Sequence, residues 1–207
     1  MALDNYDNLK ATIIRVDGSD NASDVVDDCI DMAESEMYSN SASPIRHRSM
    51  ETRSTAPTDG TRFLALPDLF LQMRGLRLVL SSGNSDVRYA SPEALEVNSN
   101  SGQPSYFTVT SQLEFNRVPD STYTIEMSFF AKLTALDDTN TTNDILTDNP
   151  NVYLYGSLWA LNLFNAEEEK ASYYYNLFIS SIKGCNKRFD KGRYGPAPTM
   201  KTEGSTP

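Results

Sequence analysis

The stretch from Asn149 to Phe164, NPNVYLYGSLWALNLF, constrains this chain more than any other. Asn149 and Pro150 read as an N-cap followed by proline at the first helical position, where its missing N–H is not needed. Val152, Leu154, Tyr155, Leu158, Trp159 and Leu161 then cover most of the helix circumference. A helix apolar on nearly every side is buried on several sides, so other elements have to surround it. Gly156 in its interior costs about 1 kcal/mol of helix propensity relative to alanine. Close approach of another backbone would offset that.

The partners come from both ends of the chain. Asp4 and Asn5 can cap a short helix with Tyr6, Leu9, Ile13 and Val16 on its apolar face, broken at Gly18 and the polar Asp20-Asn21-Ala22. A second helix aligns Val26, Cys29, Ile30, Ala33 and Met37, with Asp24, Asp27, Asp28, Asp31, Glu34 and Glu36 on its other face. Asn165 is expected to start the last helix, with Glu168 placed for a capping box. Its stripe is Tyr174, Leu177, Phe178, Ser181 and Cys185.

Between these ends the period changes from 3.6 towards two. Residues 45–57 read as an edge or partly exposed strand, and TDGT at 58–61 as a turn with Gly60 free to take positive φ. Strands follow at RFLALP, at 73–80, at VRYASP after an SSGNSD turn, and at SYFTVT and QLEFNR as a hairpin. TYTIEMSFFAKL alternates Tyr123, Ile125, Met127 and Phe129. The fold class expected is α+β: an antiparallel helical bundle formed from residues 1–40 and 141–190, with a small antiparallel β-sandwich or barrel inserted at 41–140. Residues 191–207 would form an extended C-terminal tail, since glycine, proline and small polar residues give it no core to join.

A chain of 207 residues with 39% hydrophobic and 22% charged residues can bury a real core in one domain or two packed ones. The net charge of -10 speaks against a protein that grips duplex phosphates or anionic lipid. Cys29 and Cys185 read as buried free thiols of a reducing compartment. The N-terminus has no apolar signal core, and no run reaches membrane-spanning length, so synthesis in the cytoplasm without membrane contact is expected.

Catalysis would have little to build on. His47, the only histidine, sits between Arg46 and Arg48 on a stretch read as exposed strand. Asp27/Asp28 point apart on a helix, and Asp137/Asp138 lie in Thr- and Asn-rich turn sequence, so neither pair converges as a metal site. No phosphate loop, dinucleotide fingerprint or Cys/His metal spacing occurs, and no enzyme, cofactor or metal is expected.

LALPDLFLQMRGLRL at 64–78 and TIEMSFFAKLTALDDTNTTNDILTDNPNVYLYGSL at 124–158 resemble the head-to-tail adaptor, or connector, proteins of tailed bacteriophages. AESEMYSN, YASPEAL and GQPSYF add to the likeness, which runs from about Leu3 to Phe189. The resemblance implies a non-enzymatic virion protein of the neck. It implies a ring, usually dodecameric, docked under the portal, extending the DNA channel and offering a platform to tail nozzle or tube proteins. Passing DNA would not be bound specifically. A fibre or decoration protein with a β-sandwich is the alternative, but it would not need its two termini in one bundle.

Two surfaces are candidates within that frame. Asp24, Asp27, Asp31 and Glu34 would face the channel and repel phosphate, or form an ordinary solvated face. Lys187, Arg188, Phe189, Lys191, Arg193 and Tyr194, with Lys183 and Lys201 nearby, would carry the portal contact by joining positive charge to aromatic anchors.

Overall fold

The computed structural model describes residues 3–19 and 21–194, with side chains up to residue 192. The chain divides into two compact units, Met1–Arg48 with Thr134–Pro207, and Ser49–Leu133. Mixed α+β composition holds, with five α-helices and seven strands among the described residues.

The first unit carries α1 (Tyr6–Asp17), α2 (Ala22–Ser39), α3 (Asp144–Asp148), α4 (Pro150–Phe164) and α5 (Glu168–Tyr194). The Asn5 side chain caps α1 by accepting from the Asn8 N–H, and Gly18 ends it in the left-handed region at φ 71°. α4 packs against α1, α2, α3 and α5, which answers its all-round apolar sequence. Tyr153, Leu158 and Leu161 are fully or almost fully buried, as are Ile13, Ile30, Met37, Phe178 and Ile182 around them.

Gly156 is a contact point. A Cβ there would lie 2.8 Å from the Ala33 Cβ and 2.9 Å from the Phe178 ring, so α2 and α5 both approach α4 where it lacks a side chain. Close approach is real, but it is made by side chains rather than by a backbone. Trp159 stacks near Phe178 with centroids 6.2 Å apart and meets Tyr175 at 5.3 Å.

Several local expectations are corrected here. Asn165 caps the end of α4, accepting no role as the start of α5, which begins at Glu168. The short helix α3, which precedes the Asn149-Pro150 start, is held by the Asn143 side chain accepting from the Leu146 N–H. Val16 is 47% exposed and leaves the α1 stripe. Lys191 to Tyr194, placed in the extended tail, continue α5, because nothing helix-breaking precedes Gly195 except an exposed Gly192. The rest of the tail lies outside the described residues.

The second unit is a single seven-stranded sheet in the order β1-β7-β3-β4-β5-β6-β2. Its strands are β1 (Glu51–Pro57), β2 (Phe63–Leu64), β3 (Phe70–Leu80), β4 (Gly83–Tyr89), β5 (Tyr106–Val109), β6 (Leu113–Phe115) and β7 (Thr124–Ala131). β1 is an edge strand, which suits its closing proline. The sheet is mixed rather than antiparallel, because β4 and β5 pair in parallel at Arg88↔Tyr106 and Tyr89↔Phe107. The long excursion from Ala90 to Ser105 makes this possible, since parallel neighbours need a crossover and not a hairpin. The expected SSGNSD turn contracts to Ser81 and Ser82, with Gly83 at φ 120° opening β4. Alternating residues of β3, β4, β5, β6 and β7, among them Leu76, Val87, Phe107, Phe115 and Ile125, meet in one apolar cluster.

Candidate assembly surfaces

α2 presents the acidic face. Asp24, Asp27, Asp28 and Asp31 are exposed along it. Asp27 accepts from the Tyr6 hydroxyl at 2.9 Å and from Lys10 at 3.4 Å, and Lys10 also reaches Asp138 at 3.2 Å. The face is therefore partly neutralised by one lysine of α1. Partial burial, with Asp28 and Asp27 alongside, raises the Asp31 carboxyl above its ordinary range. The same surroundings raise Tyr6, first by burial and then by Asp27.

Glu34 does not belong to that face. It is 8% exposed and turned inward, accepting the Leu136 backbone N–H at 3.0 Å and the Tyr153 hydroxyl at 2.8 Å. Asn143 donates to that same hydroxyl at 2.7 Å, while its oxygen caps α3. One carboxylate thus joins α2, the chain before α3, and α4. Burial pushes its pKa up, against the two hydrogen bonds that favour the anion. The expectation that Glu34 stands on the exposed acidic face is corrected, because two distant segments, at Leu136 and at Tyr153, use it internally.

His47 is a second correction. It is 7% exposed, with Nε2 3.0 Å from Asp148 Oδ2. The strand expected from Ile45 begins only at Glu51, and the residues before it are tied to α5. Asn186 accepts the Arg46 N–H at 2.7 Å and donates to the Pro44 carbonyl at 3.0 Å. Asn40 accepts the Ala42 and Ser43 N–H groups and donates to Glu36 and to the Tyr175 hydroxyl. Both cysteines are buried and free, and burial pushes the Cys29 thiol up to about 12 and the Cys185 thiol up to about 11.

The basic end of α5 places Lys183, Lys187 and Lys191 at i, i+4 and i+8, which puts them on one exposed stripe. Arg188 is drawn aside to donate to the Asn149 side-chain oxygen. Phe189 is half-buried and so not fully offered to a partner. The side chains of Arg193 and Tyr194, and Lys201, lie outside the described residues. Sequence reasoning therefore joined two kinds of group here: free lysines, and residues with internal work.

A third surface escaped the sequence. Leu163 and Phe164 at the end of α4 and Tyr173 in α5 are exposed, on either side of a turn where Ala166 takes φ 55°. Their spacing continued the buried stripes, so nothing local marked them as outward.

Among the described residues no group of three or more His, Cys, Asp or Glu could hold a metal ion, and no helix is long and apolar enough to cross a membrane. Of the known protein families, the one described as SU10 adaptor protein matches residues 4–199, which spans both units. No curated protein matches the chain.

Proposed function

This chain belongs to the SU10 adaptor protein family, a phage head-to-tail adaptor family, and we propose that it forms a ring docked beneath the portal. Membership implies a structural protein of the virion neck that works with other head and tail components. In our reading the ring, a dodecamer, extends the DNA channel and gives tail nozzle or tube proteins their platform. It acts by position and not by catalysis. The observation that carries this is the family match itself, since it covers nearly the whole chain rather than one motif.

The exposed acids Asp24, Asp27 and Asp31 remain suited to a wall that passes DNA without gripping it, because phosphates meet like charge there. Lys187 and Lys191, with the residues that follow, supply the portal contact. Charge on this stripe steers association and is available to acidic partners.

Electron microscopy of the protein mixed with its portal tests the reading: ring density under the portal is expected, and no association would overturn it. Truncation after Arg188 tests the contact. Circular dichroism and melting should change little, while portal affinity falls at least about tenfold through the loss of Lys191 and the chain that follows it. Unchanged binding by the truncated chain would move the contact to the exposed Leu163, Phe164 and Tyr173.

A further inference from the structure

The outward face of α5 is polarised along its length. Glu169, Tyr173, Asn176, Ser180, Lys183 and Lys187 are all exposed, and their alternating spacing of four and three places them on one seam of the helix. Acid stands at the start of the seam, with Glu168 beside Glu169. Cations stand at its end, with Lys191 one turn beyond Lys187. Tyr173, packed edge-on against Tyr174, is 61% exposed between them. Asp190 is the one acid among these lysines, and Lys170, which follows the glutamates, is paired with Glu167.

Helix electrostatics explains only the first half of this pattern. Glu168 and Glu169 lie in the first turn, where the dipole favours anions. At the other end the dipole acts on the last turn alone, and Lys183 and Lys187 precede it, since α5 runs to Tyr194. Like charges four residues apart destabilise a helix, so Lys183, Lys187 and Lys191 repel one another within their own chain. The side chains of Glu168, Glu169, Lys183, Lys187 and Lys191 have no hydrogen bond or ion pair among the described residues. One accessible face thus carries unmatched acids and unmatched cations, which are the two halves of a complementary contact.

The contact that matches these halves is antiparallel. A second α5 laid alongside in the same direction sets lysine on lysine. Reversed, it sets Glu169 of each copy by Lys187 of the other, Tyr173 by Lys183, and Asn176 by Ser180, with the two-fold axis between Asn176 and Ser180. Each Glu169 gains a cation, and each Tyr173 offers its ring face to an ammonium group. Such a contact is isologous and closes at two copies. Tyr173 is the only large apolar side chain on the seam, and exposed ion pairs contribute little each. The dimer is therefore weak and sensitive to salt.

We propose that the exposed face of α5 pairs antiparallel with α5 of a second copy before the ring forms. The lysines it covers include Lys187, read above as part of the portal contact. In that respect the inference rests on the portal reading and deepens it: free chains mask the stripe, and the portal has to displace the second copy to reach it.

Sedimentation velocity of the full chain tests the pairing. A reversible dimer is expected at high protein concentration and low salt, its Kd rising about tenfold as salt is added. Glu168→Lys with Glu169→Lys should leave monomers, and so should Lys183→Glu with Lys187→Glu. All four positions are exposed, so both variants are expected to fold, which circular dichroism checks. An equimolar mixture of the two should regain the dimer, a rescue that misfolding could not produce. Asn176→Cys and Ser180→Cys, mixed under mild oxidation, should cross-link where neither does alone, because a disulfide needs its Cα atoms within about 7 Å. The native thiols are buried and stay protonated near neutral pH, which keeps them silent. Portal added before oxidation should lower the cross-link yield severalfold. Monomers at every concentration, or a dimer that survives either charge reversal, would refute the pairing and leave the ring reading standing. A yield that the portal leaves unchanged, with ring density still seen beneath it, would keep the pairing but overturn its masking role and move the portal contact off this stripe.

Discussion

In the helical unit, single polar side chains reach across long sequence distances to fix irregular segments. Glu34 holds Leu136, Asn186 holds Arg46 and Pro44, and Asn40 turns the chain out of α2. In the β unit, the side-chain hydrogen bonds to backbone gather at the turns, Thr58 with Ser121 and Tyr123 and Asn116 with Ser105 and Tyr106, while Arg77 and Arg62 pair with Glu126 and Glu114 on partly exposed faces. Its interior is left to strand alternation. The contrast follows from what each backbone already specifies. Ladder hydrogen bonds fix the register of strands, whereas helices packed by ridges and grooves accept more than one register. Buried polar pairs penalise the wrong ones, because a misplaced partner leaves a desolvated group unsatisfied.

The largest effect is expected where three helices converge. Helix propensity alone favours Gly156→Ala by about 1 kcal/mol. The Ala33 Cβ at 2.8 Å and the Phe178 ring at 2.9 Å oppose it, and overpacking of a close-packed core costs about 1–3 kcal/mol. The variant should melt lower than the parent. A higher melting temperature would mean that α2 and α5 yield easily, and that the polar ties rather than the packing hold the register.

A paired substitution sharpens the comparison at smaller cost. Tyr153→Phe keeps the buried ring but removes the hydroxyl between Glu34 and Asn143, and should cost about 1–2 kcal/mol. In the β unit the Thr108 hydroxyl is buried without a hydrogen-bond partner among the described residues. Thr108→Val should therefore be neutral or stabilising by up to about 1 kcal/mol. Chemical denaturation of the two variants reads this directly. Equal losses in both would break the distinction between an interior tied by buried polar pairs and one left to apolar packing.

Much of the helical unit was legible because its signals are local. The stripes Tyr6-Leu9-Ile13 and Val26-Cys29-Ile30-Ala33-Met37 are buried as periodicity requires, and Asn5 and Gly18 act at the ends of α1 as their chemistry suggests. Glu34 and His47 were read outward because their partners, Tyr153, Leu136 and Asp148, lie about a hundred residues away and leave no mark on the local pattern. The acidic face was legible as composition, but its inner member was not. In the β unit the hairpin around Thr110 and the inward set of β7 followed alternation. The parallel β4–β5 pairing and the two shifts in β3 did not, since register is settled between strands and not within one.

The smallest effect concerns the charge of Glu34 and carries a definite sign. Burial raises its folded pKa above the ordinary carboxylate value, so between the two values the folded chain binds a proton that the unfolded chain has lost. Stability then falls as pH rises through that window, and the loss is complete above the raised folded value. Glu34→Gln keeps an oxygen to accept from Leu136 and Tyr153 and removes the ionisation. The melting temperatures of parent and variant should lie closest at low pH, where the parent carboxyl is protonated. They should separate in favour of the variant as pH rises through the window, then stay apart at a constant gap. Glu34→Ala, which strands both donors, should instead be less stable by about 1–3 kcal/mol at every pH. A gap between parent and Glu34→Gln that widens towards low pH would reverse the sign. It would show that the two hydrogen bonds outweigh burial, making the anion itself the tie between α2 and α4.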